Sequence, residues 1–334
     1  MTNTGARLRV FVCEFITGGG LGVAPLAAGL AHEGDLMLTR VLWDLADTGR
    51  VDLSLTRDRR MASLDLPARV IPVSATESIW SQWEECIGKC DAVLPIAPET
   101  GGVLERLSRL VVTNGKVLLG SAPQAIRIAA SKIEAAELLA SRGIPTVTTL
   151  SVRDPIPYAR DGWVVKPDDG AGCEHTYRFA TLDSLQSWLQ HAERNHVVQP
   201  YLPGIAASAS VFCHEGSAWL LACNRQMVSC INGELRCNGV AVNALTGYAD
   251  QVKPIIEQLA RILPDLSGFV GIDLVLSAQG PVVMEINPRI TTAYVGLRDC
   301  MAINPAALLL DVLIDGKPPA IDVRALGSRL VALP

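Results

Sequence analysis

The sequence predicts an α/β domain followed by an α+β region, and three observations support this fold class. Apolar runs rich in β-branched residues alternate with helical segments up to about residue 120, as in an open parallel sheet. Two helices separated near Ser131 follow. Strand-like segments then dominate as far as an apolar hairpin at 268–287. We expect an N-terminal α/β substrate-side domain over 1–120, a small lobe with central linker helices over 121–200, and a large lobe over 201–334.

In the first domain, "LRVFVCEF" and "DAVLPIA" are expected to form parallel strands buried on both faces. A helix is predicted after the first strand and ends at Gly49, because glycine is the commonest residue after a helix C-terminus. Two amphipathic helices follow, in "ESIWSQWEECIGKC" and "ETGGVLERLSRLVVTNG". The glycine-rich "FITGGGLG" after the first strand has the composition of a phosphate-binding turn.

In the second region, "GWVVKP", "NHVVQPYL", "SASVFC" and "AWLLACNRQMV" are predicted strands. A helix in "YADQVKPIIEQLARIL" precedes "GFVGIDLVLSAQGPVVMEIN", whose Gln-Gly turn predicts an antiparallel hairpin.

Composition and charge exclude several classes of protein. The chain has 334 residues, 49% of them hydrophobic and 19% charged, as expected for a folded protein of two or three domains. A net charge of -5 predicts neither nucleic acid nor an anionic membrane as partner. No apolar run reaches the roughly 20 residues that span a bilayer, and no signal peptide is recognisable. Nine cysteines without a C-x-x-C pair are typical of a reducing compartment, so we expect a cytoplasmic protein.

Three oxygen-bearing side chains lie on the hairpin at 268–287. Glu285 and Asn287 are two residues apart and therefore project from one face of a strand, and Asp273 lies on the other arm. Carboxylates in apolar surroundings are costly unless a cation compensates them. Oxygen ligands of this kind suit Mg²⁺ held together with nucleotide phosphates, with Mn²⁺ as an alternative. The competing interpretation is that Asp273 and Glu285 are edge-strand charges facing water.

Two lysines and a glycine-rich segment match this anionic site. Lys166 ends the strand "WVVKP", and Lys132 opens a helix, a position that taken alone is more often just surface. Between the lysines and the carboxylates lies "KPDDGAGCEH", whose glycines allow backbone N–H groups to approach phosphate oxygens. The segment "VVQPYLPG" that follows indicates a hinge where an adenine could stack and bond to free backbone groups.

The order of these features resembles the ATP-grasp superfamily, whose members clamp ATP between two α+β lobes behind a smaller α/β domain. The resemblance is strongest over 130–299, where "GIDLVL" and "MEINPR" are its most specific motifs. It implies that Lys132 and Lys166 contact the α- and β-phosphates, and that Asp273, Glu285 and Asn287 hold one or two Mg²⁺. The remaining ATP-binding residues that it implies are Asp169, Gly170, Ala171 and Gly172 over the γ-phosphate and Gln199, Tyr201 and Leu202 at the adenine.

Two features depart from the usual pattern of this superfamily. Gln199 stands where the hinge usually carries an acid, although an amide can still face the adenine amino group. Many members bind the ribose hydroxyls with an acid a few residues later, whereas this chain has Ala206, Ala207 and Ser208 there. The sequence therefore assigns no residue to the ribose hydroxyls, which also leaves the affinity for ATP and the choice of nucleotide open.

Within the superfamily, "FITGGG", "NRQ" and "EINPRITTAYVGLR" resemble the tyramine–glutamate ligases of methanofuran biosynthesis, whose relatives occur in bacteria that make related C1-carrier cofactors. This resemblance implies an ATP-dependent carboxylate–amine ligase that acts through an acylphosphate, with glutamate as acid substrate and an amine as acceptor. Its partners are then small molecules, and a homodimer is compatible with the sequence.

Candidates for substrate binding and catalysis follow from this chemistry. Lys166 and Arg289 are the predicted catalytic residues, and Arg289 would contact the transferred phosphate or the oxyanion. The alternative for Arg289 is a salt bridge with Glu285 or Asp273. Cys173 is predicted to be dispensable. The predicted substrate-binding residues are Arg225, Thr291, Thr292 and Arg298 for an acidic substrate and Glu14, Thr17 and Gly19 for an amine and its approach to the backbone.

Two other functions compete with the ligase. The missing ribose acid allows an ATP- and Mg²⁺-binding protein without ligase activity, such as a sensor or an assembly factor. The segment "GGGLG" raises a nicotinamide-dependent oxidoreductase, but that fingerprint needs G-x-G-x-x-G and an acid about 20 residues on. Here Pro25 follows, and the next strand begins only near residue 51, which disfavours the oxidoreductase.

Overall fold

A computed structural model describes the chain over residues 7–74, 79–170, 172–192, 195–301, 303–317, 319 and 327–333. Its N-terminal part is a five-stranded parallel sheet in the order β3-β2-β1-β4-β5. The strands are β1 (Leu8–Glu14), β2 (Val51–Asp58), β3 (Arg69–Val73), β4 (Ala92–Ile96) and β5 (Val117–Leu118). Three helices accompany this sheet: α1 (Ala28–Ala46), α2 (Ile79–Gly88) and α3 (Val103–Thr113).

The remaining strands form a second, ten-stranded sheet in the order β14-β13-β10-β11-β12-β8-β7-β9-β6, with β15 paired to β12. All its strand pairs are antiparallel. The strands are β6 (Leu150–Ser151), β7 (Trp163–Pro167), β8 (Tyr177–Phe179), β9 (His196–Pro200), β10 (Ile205–His214), β11 (Ser217–Ile231), β12 (Glu234–Val242), β13 (Gly268–Ser277), β14 (Gly280–Asn287) and β15 (Arg329–Ala332).

Within the described part of the chain, six α-helices connect or cover this second sheet. They are α4 (Pro123–Ala130), α5 (Lys132–Ser141), α6 (Leu182–Leu189), α7 (Ala249–Ile262), α8 (Tyr294–Cys300) and α9 (Pro305–Leu313). The break between α4 and α5 falls at Ser131, whose hydroxyl accepts the Glu134 N–H and so caps α5. A parallel α/β part followed by an antiparallel α+β part is the fold class that the sequence predicts, and the prediction is confirmed. The domain boundaries near 120 and 200 stay predictions.

The two sheets share one hydrophobic core. Leu38 and Leu42 of α1 belong to the same buried cluster as Phe269 of β13, Tyr294 of α8 and Leu309 of α9. This continuous burial fixes the N-terminal sheet against the end of the hairpin β13–β14. No helix within the described part of the chain is both long enough and apolar enough to cross a membrane.

The glycine-rich segment after β1 forms a tight helical turn, Ile16–Gly20, rather than an open loop. Gly19 has φ +101°, a conformation that few other residues adopt. A side chain at Gly20 would lie 2.4 Å from the ring of Phe15, so only glycine fits there. Local packing therefore accounts for these two glycines.

Candidate active site

A cavity of about 530 Å³ opens on one face of the antiparallel sheet. Most of its lining comes from the strands β7 to β14 and the segment that follows β14, with Lys132 of α5 and Leu333 after β15. Among the described residues, α1 of the N-terminal part adds a single side chain, Glu33. Most of the residues predicted to act in the site line this cavity: Lys132, Lys166, Gly170, Gly172, Gln199, Tyr201, Leu202, Arg225, Asp273, Glu285, Asn287, Arg289, Thr291 and Thr292.

Two lysines converge on Glu285 at the centre of the cavity. Lys132 Nζ lies 3.5 Å from Glu285 Oε1, and Lys166 Nζ lies 3.6 Å from Oε2. Asp168 holds Lys132 in place: its carboxylate accepts the Ile133 N–H and the Ser131 hydroxyl, and its carbonyl accepts Lys132 Nζ at 3.1 Å. Lys132 is only 5% exposed, although a lysine that opens a helix is, taken alone, more often a surface residue.

Asp273 lies opposite Glu285 in the register of the hairpin. Burial and the neighbouring Glu285 raise the pKa of Asp273 to about 7. Burial acts on Glu285 in the same direction, but Lys132 and Lys166 outweigh it and hold its pKa below the usual range. Burial also lowers the pKa of Lys166. A buried carboxylate beside a second carboxylate forms a place where an added cation gains energy.

The residues present fit Mg²⁺. Asp273 and Glu285 offer carboxylate oxygens, and Asn287 lies within hydrogen-bonding reach of Asp273 and offers an amide oxygen. Nowhere in the described ranges do three His, Cys, Asp or Glu side chains cluster as a self-contained metal cage. Two carboxylates and an amide instead suit an ion that keeps waters and takes phosphate oxygens as further ligands.

Gln226 on β11 holds Asp273 in position. Its Nε2 donates to Asp273 Oδ1 at 2.9 Å, although β10 lies between the two strands. Ala206 and Ser208 are the β10 residues that face the cavity beside this contact, and Ser208 is in register with Asp273. The small side chains of Ala206 and Ser208 leave room for Gln226 to reach Asp273 across β10. This is a physical reason why these positions of β10 carry no acidic residue.

The predicted adenine end contains an unsatisfied acceptor. Gln199 is 1% exposed, and its Nε2 donates to Thr149 Oγ1 at 2.8 Å. Its Oε1 is buried and has no hydrogen-bond partner among the described residues. A buried acceptor without a donor is costly, and the amino group of adenine would supply that donor. Arg178 stacks on the ring of Tyr201 beside it, 3.7 Å from the ring centroid.

The glycine loop after β7 is tied to the N-terminal part. Asp169 Oδ2 accepts the Gly101 N–H at 2.9 Å, and Oδ1 accepts Asn195 Nδ2 at 2.8 Å. Asp169 does not line the cavity, so its carboxylate anchors the loop, whereas Gly170 and Gly172 do line it. Ala171 lies outside the described residues.

Arg289 pairs with a residue that sequence reasoning did not suggest. Its Nε lies 3.0 Å from Glu99 Oε1, so the alternative of a salt bridge to Glu285 or Asp273 is wrong. Thr291 packs beside Gly271 of β13, where an added side-chain carbon would lie 2.5 Å from Thr291 Cγ2. Thr292 donates its hydroxyl hydrogen to the Glu33 carboxylate.

Four predicted substrate residues are not brought to the cavity. Arg298 Nη1 lies 2.9 Å from Asp44 and 2.6 Å from Asp47, on the α1 side of α8. Glu14 is buried and accepts hydrogen bonds from the Ile16 N–H, the Thr17 N–H and the Thr17 hydroxyl. Gly19 packs against Val73 and Ile79. These contacts are internal, and we propose no substrate role for Glu14, Thr17, Gly19 or Arg298.

Three residues at or beside the cavity were missed by sequence reasoning: Glu33, Glu99 and Gln226. Glu33 lies on a helix whose charges look like an ordinary solvated face, so no local signal marks it. Glu99 directly precedes a short helix, so in the sequence it looks like an acidic residue at the start of a helix. Gln226 belongs to the quoted motif "NRQ", and its position two strands from Asp273 could have been found only from the strand order.

Comparison with known families agrees with this geometry. A model described as an ATP-grasp domain matches residues 129–293, and one described as a pre ATP-grasp 3 domain matches residues 51–126. The chain belongs to the ATP-grasp superfamily. The first match includes both lysines, the hairpin carboxylates and Arg289, and the second covers most of the parallel sheet.

Among curated proteins, the chain is similar to two tyramine–L-glutamate ligases. It is 23% identical over 277 residues to that of Methanocaldococcus fervens, a match covering 81% of this chain and 84% of the relative. It is 25% identical over 215 residues to that of Methanocaldococcus jannaschii, a match covering 62% of this chain and 58% of the relative. The family matches and these relatives support an ATP-dependent carbon–nitrogen ligase.

Solved structures show the same fold. An ATP-grasp superfamily protein from Archaeoglobus fulgidus superimposes with a TM-score of 0.71 at 22% identity, covering 98% of this chain and 100% of that one. A second similar structure is the biotin carboxylase domain of 2-oxoglutarate carboxylase from Hydrogenobacter thermophilus, which was solved with MgADP and bicarbonate. It superimposes with a TM-score of 0.74 at 13% identity, covering 97% of this chain and 74% of that one.

Proposed function

We propose that the protein joins a carboxylate of glutamate to an amine and forms ADP and phosphate. The observation that supports this most directly is Glu285, which lies between Lys132 and Lys166 and opposite Asp273 in one buried cavity. This arrangement supports a site in which the two lysines, and Mg²⁺ held by the carboxylates, would neutralise one triphosphate. The similarity to tyramine–L-glutamate ligases supports glutamate as the acid substrate.

The proposed reaction has two steps. The substrate carboxylate attacks the γ-phosphorus of ATP, the bond to the β-phosphate oxygen breaks, and an acylphosphate and ADP result. The uncharged amine then attacks the acyl carbon, phosphate leaves with the electron pair of the C–O bond, and the nitrogen releases a proton that the departing phosphate accepts. Both steps depend on positioning and on neutralising negative charge rather than on a protein nucleophile.

Each group of residues has a proposed role in these steps. Lys132 and Lys166 bind the α- and β-phosphates, Gly170 and Gly172 cover the γ-phosphate with backbone N–H groups, and Arg289 faces the transferred phosphate. Asp273, Glu285 and Asn287 would hold one or two Mg²⁺, with Mn²⁺ as a substitute, and this metal supplies charge neutralisation when bound. Gln199, Tyr201 and Leu202 would contact the adenine, and Arg225, Thr291 and Thr292 the acid substrate.

Product analysis tests the proposal. Incubation with ATP, Mg²⁺, glutamate and a panel of amines, followed by mass spectrometry, should reveal a glutamyl amide and an equal amount of ADP. Lys166→Ala and Glu285→Ala should each abolish the ADP release that depends on both acid and amine. Lys253→Ala, on the exposed face of α7, is the matched control and should retain full turnover.

Two outcomes would contradict the proposal: undiminished turnover in Lys166→Ala or Glu285→Ala, or ATP binding by the wild type without phosphate release under any mixture. A role in C1-carrier cofactor synthesis, a cytoplasmic location and a homodimer remain proposals from the sequence. Identification of the amine by the product analysis would test the proposed role in C1-carrier cofactor synthesis.

A further inference from the structure

Glu33 is the one acidic side chain that the N-terminal part contributes to the cavity among the described residues. It lies in the second turn of α1 and is partly buried. Its carboxylate accepts the hydrogen of the Thr292 hydroxyl. Within the described part of the chain no lysine, arginine or histidine forms an ion pair with it, so its charge is left without a direct counter-charge.

The nearest arginine does not neutralise Glu33. Arg289 is close enough for the charge of Glu33 to act on it, but its guanidinium is held by Glu99, at 3.0 Å from Nε. Arg225 also lines the cavity and forms no ion pair among the described residues. The cavity is therefore lined by a carboxylate and a guanidinium that form no ion pair among the described residues, and a zwitterion carries the two complementary charges.

A carboxylate in this position has a cost. The rest of the cavity is built for phosphates and a substrate carboxylate, and Glu33 repels both. One carboxylate with one hydroxyl is also a poor site for a divalent cation, which requires several oxygen ligands. An ammonium group, with a single charge and three donors, matches a carboxylate and a neighbouring hydroxyl much better.

We propose that Glu33 binds the ammonium group of a substrate. This inference rests on the proposed ligase function and adds a cation subsite to it. Two groups have this chemistry, namely the α-ammonium of glutamate and the ammonium of the acceptor amine before it loses its proton. Charge-assisted hydrogen bonds contribute about 1.5–3 kcal/mol, which corresponds to an effect of roughly tenfold or more on binding.

The test is Glu33→Gln, which keeps the shape of the side chain and removes its charge. Hydroxylamine serves as a largely uncharged acceptor that traps the acylphosphate as a hydroxamate, and glutarate serves as glutamate without its ammonium group. If Glu33 binds the α-ammonium, the variant raises the KM of glutamate about tenfold in the hydroxamate assay and leaves that of glutarate unchanged. If it binds the acceptor, only the KM of the amine rises, in the amide assay.

Glu84→Gln is the matched control, because it makes the same change at an exposed position of α2, in the same part of the chain but outside the cavity. Unchanged KM values for glutamate and amine in Glu33→Gln would overturn the inference, as would an equal rise for glutamate and glutarate. A rise in the KM of ATP alone would overturn it as well. A purely structural role of Glu33 would not distinguish glutamate from glutarate.

A binding measurement distinguishes failure of the proposed ligase function from failure of the ammonium subsite. If the wild type yields neither hydroxamate nor amide, calorimetry with glutamate and with tyramine is performed in the presence of Mg²⁺ and a non-hydrolysable ATP analogue. Weaker binding to Glu33→Gln than to the wild type would then support the ammonium subsite although the ligase proposal had failed. Equal binding, or no binding to the wild type, would overturn the subsite too.

Discussion

Arg289 and Glu99 connect the two sheets through a buried ion pair, with Arg289 Nε 3.0 Å from Glu99 Oε1. Glu99 follows β4 of the parallel sheet, and Arg289 follows β14 of the antiparallel sheet. Their side chains are 5% and 13% exposed. The pair therefore fixes the orientation of an arginine that we place at the transferred phosphate.

The first prediction concerns the stability that depends on this pair. Glu99→Gln leaves the guanidinium of Arg289 buried without a counter-charge, and breaking a buried pair in this way typically costs about 3–5 kcal/mol. We expect the free energy of unfolding, measured by urea titration, to fall by about 3 kcal/mol. Glu105→Gln on α3 breaks a more exposed pair with Arg109 and should cost less than about 1 kcal/mol. Equal effects of the two substitutions would contradict the prediction.

The second prediction concerns the metal. Mg·ADP should stabilise the wild type by about 2.7 kcal/mol at a ligand concentration a hundredfold above its Kd, and a chelator should remove the Mg²⁺-dependent part of this stabilisation. Asp273→Asn should lose that part, because a hairpin ligand has been neutralised, while ADP alone still binds. Melting temperatures with and without Mg²⁺ measure this. Asp161→Asn, an exposed loop substitution, should behave as the wild type does. An undiminished Mg²⁺ effect in Asp273→Asn would refute the assignment.

Much of the site follows from the periodicity of single strands. Glu285 and Asn287 share a face because side chains in a strand alternate. Asp273 is opposite Glu285 because a β-bulge shifts the register of the hairpin by one residue between Leu274 and Asp273. Lys166 ends a buried strand, and it lies at the cavity as expected. The strand periodicity and the hairpin are predictable from residues close in sequence, whereas the one-residue shift that aligns Asp273 with Glu285 is not.

Contacts between distant segments could not be predicted in this way. The Arg289–Glu99 pair spans 190 residues and the Thr292–Glu33 contact spans 259. Each depends on how α1 and the parallel sheet pack against the hairpin, which no local pattern encodes. Arg298 failed as a substrate residue for the same reason, since its partner Asp44 lies 254 residues away on α1.

The third prediction concerns the choice of nucleotide. The free Oε1 of Gln199 can accept a hydrogen from the amino group of adenine, whereas guanine presents a carbonyl oxygen at that position. Gln199→Leu removes the acceptor. We expect the Kd of ATP to rise about tenfold, because about one hydrogen bond is lost, and the preference for ATP over GTP to fall. Gln199→Glu keeps an acceptor and should retain the preference for ATP. Calorimetric titration with both nucleotides measures this, and an unaltered preference in Gln199→Leu would exclude the contact.

The last prediction concerns Glu14, a carboxylate that is 3% exposed and has no cation beside it among the described residues. Burial raises its pKa, hydrogen bonds from Thr17 and Ile16 offset part of the rise, and Asp35 adds to it. The folded-state pKa therefore lies above the ordinary value of 4.5. As the pH rises above that value, the unfolded chain loses this proton before the folded protein does, so folding becomes less favourable until the pH passes the folded-state pKa.

Glu14→Gln removes this titration and keeps an oxygen that can accept from Thr17. Relative to the variant, the wild type should be most stable below about pH 4.5 and should lose stability as the pH rises towards neutrality. Urea unfolding over this range, with exposed Glu84→Gln as background, measures the difference in the free energy of unfolding. Parallel pH profiles, or a wild type that gains stability relative to Glu14→Gln on going to neutral pH, would show that Glu14 is not held as a buried carboxylate. A change in the KM of a substrate in Glu14→Gln would instead return this residue to the substrate role that its sequence position suggested.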